Sequence, residues 1–402
     1  MKILQICNKM PYPPKDGGAI ATLNMSKGFV ANGVDLTILS MNTKKHYFDK
    51  NLIPSTLKEK IDFIIVDVPA EIKASEALKN LLFSKIPYNA ERFINENFRN
   101  ELIKVLKQKT FDIIQLEGLY LMPYVDTIRD FSDAKIALRS HNVEYEIWER
   151  VAENEKNLLK KNYLKILSKR IKKFEIDYIN KYDILVSITQ RDLNIYNKLG
   201  NSKPAVVSMT GINIDEIDRK GIEVEYPSLF HLGALDWAPN QEGIEWFLKN
   251  VWQEIAKKHS SLKFFVAGRN APDWLIQSIK SYKNTVYLGE VDDAYKFMKS
   301  KAVMIVPLFS GSGMRIKIIE GMALGKVIIS TDIGTEGIDT QNSTNIIRAN
   351  NKDEFISAIE KIIEDKSLFN NISENAKEFI AQNFENKAII SNLLKAYENL
   401  VR

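Results

Sequence analysis

AVMIVPLFSGSGMRIKIIEGMALGKVIIS, residues Ala302 to Ser330, is the stretch that decides the fold. An apolar strand-like run, Ala302 to Val306, stops at Pro307. A glycine-bearing turn follows at Ser310, Gly311, Ser312 and Gly313. Apolar residues then recur at helical spacing (Ile316, Ile318, Ile319, Met322, Ala323) until Gly325, and Val327 to Ile329 open a second strand. The charges are out of place for such a helix. Arg315 and Lys317 fall in its first turn, where the backbone N–H groups already make the potential positive and a cation costs about 0.3–1 kcal/mol. An anion seated at that end removes the cost, because the glycines let its oxygens approach the N–H groups and the two side chains complete the neutralisation. Phosphate is the expected anion. The alternative is a plain strand–turn–helix connection with two surface cations. The spacing is neither G-x-x-x-x-G-K-[ST] nor G-x-G-x-x-G.

Working outward, 402 residues exceed what one core usually serves, so two domains are expected. A hydrophobic fraction of 45% with 27% charged residues is ordinary globular composition. No run is apolar and long enough to cross a bilayer. The opening MKILQICNKMPYPP reads as a strand and a loop, and the one cysteine, Cys7, lies within that strand. These features point to the cytoplasm. The net charge of +5 is carried by the first half and concentrates in Lys156 to Lys173, KNLLKKNYLKILSKRIKK, with eight basic residues and no acid. At helical spacing Leu159, Tyr163, Ile166, Leu167, Ile171 and Phe174 share a face, opposite Lys161, Lys165, Lys169 and Lys172. Such a helix either packs on a core with its lysines in solvent or lies on an anionic membrane. Nucleic acid is not the expected partner, because the aromatic residues fall on the apolar face and not among the charges.

Both halves alternate short apolar strands with helical stretches, the pattern of doubly wound parallel sheets. Strands are expected at Lys2–Cys7, Val34–Ser40, Asp62–Val66, Asp112–Leu116, Lys135–Leu138, Asp183–Ile188 and Ala205–Met209. A second set is expected at Ser228–Leu232, Lys263–Ala267, Thr285–Leu288, Ala302–Val306, Val327–Ser330 and Asn345–Ile347. Helices are expected at Ala19–Asn32, Asn95–Lys109, from about Val143 to Asn180, and throughout Asp353 to Val401. The polar, acidic stretch from Gly211 to Pro227 marks the domain junction. The expected division is 1–212, a hinge at 213–227, 228–385, and a last helix at 386–402 returning to the first domain. Ligands of such sheets sit beyond the carboxyl ends of the strands, so facing loops of the two domains would line a cleft. The loop Asn8 to Gly18 offers a second glycine-led helix start, and a second oxyanion contact, at Gly17 and Gly18.

These residues resemble the GT-B retaining glycosyltransferases of group 1 (family 4). The resemblance rests on Gly17-Gly18, His141-Asn142, Gly211-Ile212-Asn213, FHLGALDWAPNQEG (Phe230 to Gly243), VAGRN (Val266 to Asn270), LGEV (Leu288 to Val291) and SGSGMRIKIIEGMALGK. It spans nearly the whole chain. It implies an α/β GT-B fold, a nucleotide-sugar donor (UDP- or GDP-linked) held mainly by the second domain, and a saccharide or lipid-linked acceptor held mainly by the first. Glu320 matches the second of the family's two glutamates, expected to bind the ribose hydroxyls; Ser312 stands at the first. An Arg and a Lys common in the family after the first strand of the second domain are missing, since Ala234 follows Gly233 and Gln241-Glu242 occupy the lysine position. Arg315 and Lys317 are expected to supply those charges. The resemblance further implies donor contacts at Gly233, Arg269, Val291, Ser312, Gly313, Met314, Gly17 and Gly18, a role for His141 near the reacting sugar, and acceptor-side contacts at Asp16 and Asn142. Trp246 reads as core, and Trp237 stays open between core and site.

The implied reaction breaks a glycosyl–phosphate bond, and fixed donors stabilise the charge that grows on the leaving diphosphate. No pair of acids stands out for double displacement, and no metal or other cofactor is expected. Asp292-Asp293 reads as a helix cap and not as a metal site. The rival readings are a nucleotide-sugar epimerase of the same fold and a sugar-binding protein whose catalytic power has decayed, the latter motivated by Ser312.

Overall fold

The computed structural model describes every residue except 15, 215, 216, 218–220 and 312. The chain divides into two compact units, one of Met1–Gly211 with Asn386–Arg402, the other of Ile212–Glu385. The first holds β1 (Lys2–Cys7), β2 (Asp35–Thr43), β3 (Ile61–Val68), β4 (Ile113–Glu117), β5 (Lys135–Ser140), β6 (Ile184–Ser187) and β7 (Ala205–Val207). They form one parallel sheet in the order β3-β2-β1-β4-β5-β6-β7. The second unit holds β8 (Glu225–Leu232), β9 (Phe264–Ala267), β10 (Thr285–Gly289), β11 (Lys301–Val306), β12 (Val327–Ser330) and β13 (Ile347–Arg348), parallel in the order β10-β9-β8-β11-β12-β13. Each is a doubly wound Rossmann-like sheet, as the alternating pattern predicts. The strands read as near-continuous apolar runs because helices cover both faces.

Each sheet has one topological switch point, between β1 and β4 in the first unit and between β8 and β11 in the second. There neighbouring loops leave in opposite directions and open a crevice at the carboxyl ends. The last helix, Asn386–Val401, buries Ile390, Leu393, Leu394 and Tyr397 in the first unit's core. It lies against the helix Gly17–Ala31, where a Cβ on Gly28 would come within 2.5 Å of Ile390.

Several expectations need correction. The helical run from Val143 is two helices, Glu144–Asn154 and Leu158–Tyr178, because Glu155 and Asn157 adopt extended backbone and Asn157 caps the second through Lys160 N. The first helix starts at Gly17, two residues early, because Asp16 caps it. The C-terminal stretch is three helices, Lys352–Glu364, Lys366–Asn383 and Asn386–Val401. In Leu158–Tyr178 the expected apolar face holds at Leu167, Ile171 and Phe174, but Leu159 is 84% and Ile166 47% exposed. Among the described residues no helix is long and apolar enough to cross a membrane.

Candidate functional site

At the second unit's switch point, β11 ends at Val306 and the chain turns through Gly311 (φ 107°) and Gly313 (φ 84°) into the helix Ile316–Ala323. Both glycines take left-handed backbone closed to most side chains. Ile316, Ile318, Ile319, Met322 and Ala323 are buried, and Gly325 (φ 70°) ends the helix. This apolar anchoring fixes where the first turn points. Its N-cap residue is Arg315, which brings no side-chain oxygen to the helix N–H groups. The amino end therefore carries positive potential, and its own cap residue adds no carboxylate.

Arg315 Nη1 donates to Gly313 O at 2.7 Å, and its guanidinium lies 5.0 Å from the centre of the Trp237 ring. That ring also covers Gly311, where an added Cβ would meet it at 2.9 Å. Trp237 precedes the helix Ala238–Phe247 after β8, so the loops of β8 and β11 converge on Arg315. Glu320 is only 3% exposed. Its Oε1 accepts from Tyr295 Oη at 2.8 Å, and its Oε2 pairs with Lys317 Nζ at 2.9 Å. The lysine side chain is 32% exposed, so the neutralising charge sits where it can be drawn towards a ligand.

The loop after β8 satisfies itself. Asn240 Nδ2 donates to Ala234 O and Gln241 Nε2 to Leu235 O, which leaves Gln241 a structural task at the position where the family has lysine. Gly233 N donates to Ala267 O and Leu235 N to Arg269 O, tying this loop to the one that follows β9. Arg269 is half-buried there, and Val291 follows β10 just beyond Gly289. Beneath the loop, His231 is fully buried with Nδ1 on Ile305 O at 2.9 Å, and burial pushes its imidazole down to about 4.

The first unit builds a different arrangement at its own switch point. Glu117 ends β4 and is 4% exposed. It is paired in register with Cys7 of β1 and Arg139 of β5. It accepts from Gln5 Nε2 at 2.7 Å, from Gln115 Nε2, from Thr22 Oγ1 at 3.3 Å and from Arg139 Nη1 at 3.2 Å. Its Oε2 also lies 2.8 Å from His141 Nε2. Burial alone would raise this carboxyl, but the Arg139 charge and the His141 and Gln5 hydrogen bonds outweigh it and hold Glu117 well below the usual carboxylate range. Burial lowers His141, so it stays neutral near pH 7 with Nε2–H donating to Glu117. Tyr397 of the returning last helix donates to Gln115 Oε1, which joins that helix to the same network.

Asp16 lies at the head of the Gly17–Ala31 helix. Its Oδ1 accepts from Ala19 N at 2.9 Å and from Lys9 Nζ at 2.6 Å. The protein's own carboxylate thus takes the Ala19 N–H of the oxyanion contact expected at Gly17 and Gly18, which form the helix's first turn. Asn142 is partly exposed, and its carbonyl accepts from Ser140 Oγ.

Of the residues singled out in the sequence, Gly233, Gly313, Met314, Arg315, Lys317 and Glu320 gather in the second unit, with Arg269 on the adjoining loop. Asp16, Gly17, Gly18, His141 and Asn142 gather in the first. Ser312 lies outside the described residues. Asp293 caps the helix Ala294–Lys299 through Lys296 N. Trp246 packs on Phe355 and Phe309, whereas Trp237 belongs to the site. Tyr295, Glu117, Arg139 and Lys9 are not among the residues that the sequence singles out. The available signal for Glu117 was a set of polar residues, Gln5, Gln115, Glu117 and Arg139, in three otherwise apolar strands.

Residues 226–365 match the family model described as glycosyl transferases group 1. The chain is 23% identical to an uncharacterized 44.6 kDa protein in the cps region of Klebsiella pneumoniae, over 98% of this chain and 99% of that one. It is 26% identical to an uncharacterized glycosyltransferase of Methanocaldococcus jannaschii, over 61% of this chain and 64% of that one. Among solved structures, Anabaena HepE in complex with UDP aligns with a TM-score of 0.68 at 13% identity, covering 99% of this chain and 100% of that one. The fold is GT-B, and the segment that matches the group 1 glycosyl transferase model lies within its second unit.

Proposed function

We propose that the protein is a family 4 glycosyltransferase that moves a sugar from a nucleoside-diphosphate sugar to a hydroxyl acceptor with retention of configuration. The observation that carries this reading is the second unit's switch point. A helix start whose cap residue is the cation Arg315 carries Lys317 in its first turn there, with buried Glu320 one turn on, inside the segment that matches the family model. In this reading the diphosphate seats on the Gly311–Arg315 turn, and Glu320 accepts from the ribose hydroxyls through its remaining lone pairs. The Trp237 face packs beside the ligand.

As the sugar C1–O bond to the diphosphate breaks, negative charge grows on the leaving oxygen. Arg315, Lys317 and the backbone N–H groups stabilise it, one such donor contributing about 3 kcal/mol. The acceptor oxygen bonds to C1 on the same face, and its proton passes to the leaving phosphate. Arg315 and Lys317 take the role that a metal ion plays elsewhere. Within the first unit, His141, neutral and oriented by Glu117, keeps Nδ1 as an acceptor for a saccharide hydroxyl. The HepE structure with UDP supports a uridine donor, and the cps-region relative supports a role in cell-surface polysaccharide or glycoconjugate synthesis, with a saccharide or lipid-linked acceptor.

The test is product analysis by proton NMR with UDP- and GDP-sugars and a panel of saccharide and lipid-linked acceptors. Retained anomeric configuration in a product formed in the presence of EDTA is expected. An inverted product refutes retention, and a new epimer of the donor formed without transfer refutes the transferase reading itself.

A further inference from the structure

The helices Glu144–Asn154 and Leu158–Tyr178 of the first unit run antiparallel. Tyr145 N and Ser168 Oγ supply the contacts: Tyr145 N donates to Glu175 Oε2, and Ser168 Oγ donates to Tyr145 O. The first of these helices leaves the carboxyl end of β5 and the second descends towards the start of β6, so their turn at 155–157 projects beyond the carboxyl ends of the sheet. At this tip the apolar residues are uncovered. Leu158 is 76%, Leu159 84% and Val151 43% exposed, and Ile166 follows at 47% on the same stripe as Leu159.

A second uncovered apolar face adjoins the first. The helix Ala74–Phe83 exposes Leu78 at 58%, Leu82 at 67% and Phe83 at 87%. Arg170 fastens its end to the long helix by donating to Asn80 Oδ1 and to the Ser84 and Ile86 carbonyls. Around these residues stand exposed Lys156, Lys160, Lys165, Lys169, Lys79 and Lys85; Glu155 pairs with Lys160 and Glu76 with Lys79, and Lys161 donates to the Glu153 backbone carbonyl.

We infer that this surface docks the protein peripherally on an anionic membrane. Leu158, Leu159, Leu82 and Phe83 enter the headgroup boundary, and the lysines pair with anionic headgroups. Charge chooses the occupant. A second copy of the chain docking through the same face would set lysine against lysine, and a nucleic acid would find exposed leucines where stacking aromatics are needed. Apolar side chains ringed by long, flexible cationic ones suit a boundary that is oily below and negatively charged above. This inference stands on the first unit alone and does not depend on the donor site of the second.

The test is flotation of the full-length protein with vesicles of phosphatidylcholine alone or mixed with phosphatidylglycerol, at low and high salt. The expected result is recovery at least about tenfold higher with anionic vesicles, falling steeply with salt. Leu158→Asn with Leu159→Asn, and separately Lys156→Glu with Lys160→Glu, should each lower recovery at least about fivefold without moving the melting temperature, since all four residues are exposed. Equal recovery with neutral vesicles, recovery with neither, or full recovery of both variants overturns the inference. So does a concentration-dependent dimer abolished by the leucine variant, which would make the face a contact between copies.

Discussion

The two switch points use the same materials to opposite ends. Each has a carboxylate at the carboxyl side of its sheet, Glu117 in one and Glu320 in the other, 4% and 3% exposed. Each has a glycine-led helix start close by. In the first unit the charges are answered from within: Glu117 pairs with fully buried Arg139, and the helix start is capped by Asp16, itself paired with Lys9. In the second unit the helix start has a cation at its N-cap and no side-chain cap, and the lysine facing Glu320 is one-third exposed. Closed charge makes a rigid scaffold. The proposed anion seat lies at the second start, whose cap residue is itself a cation.

The largest effect that tests this contrast is expected from removing Glu117. Glu117→Ala strands the Arg139 guanidinium in the core and should cost about 3–5 kcal/mol in chemical denaturation, because a lone buried charge has no solvent to answer it. Adding Arg139→Met should recover most of the loss. If the double variant is as unstable as the single one, the network is not a charge pair closed on itself. Second in size, Arg315→Ala and Glu320→Ala should each lower transfer by about 10²–10³-fold with the fold intact, as for loss of one preorganised transition-state contact. Near-normal turnover in either would show that the open site is not the reacting one.

How much of this was legible follows from where each residue sits. The strands could be placed to within a few residues because buried parallel strands are short apolar runs between turn residues. The helix start at Arg315 could be placed because glycines and misplaced cations flag it. Glu117 left a weaker signal, polar residues in three apolar strands, because a single acid before Gly118 looks like a solvated turn until the strand order β1-β4-β5 brings Gln5, Gln115 and Arg139 around it. The break at Glu155–Asn157 was equally hidden, because a run of helix formers gives no sign of a cap when Asn is its only marker. The exposure of Leu159 depends on which neighbour the helix packs against, and periodicity carries no such information.

The smallest expected effects concern acid and base. Glu175 is buried beside Tyr196 in the first unit, and burial raises its carboxyl to about 7. Its protonated form is the one the fold prefers, so its contribution is present below its unfolded value near 4.5 and is lost as pH rises through about 7. His231 in the second unit behaves oppositely: lowered to about 4 from 6.5, it weakens the fold as pH falls through that window. Hydrogen exchange should therefore show the first unit loosening as pH rises from about 4.5 to about 7 and the second as pH falls from about 6.5 to about 4, each at up to about 1.4 kcal/mol per pH unit. Glu175→Gln should flatten only the change seen in the first unit as pH rises. Parallel loosening of both units at one end of the scale would contradict the assignment.

The most direct measurement is the melting temperature of wild-type protein and of Glu320→Ala with UDP, GDP, ADP and dTDP at millimolar concentration. A rise of several degrees with at least one nucleotide, absent from the variant, is the predicted result, since a ligand held at 100 times its dissociation constant contributes about 2.7 kcal/mol. No shift with any nucleotide, or an equal shift in both proteins, would contradict the claim that the helix start at Arg315 holds a nucleoside diphosphate.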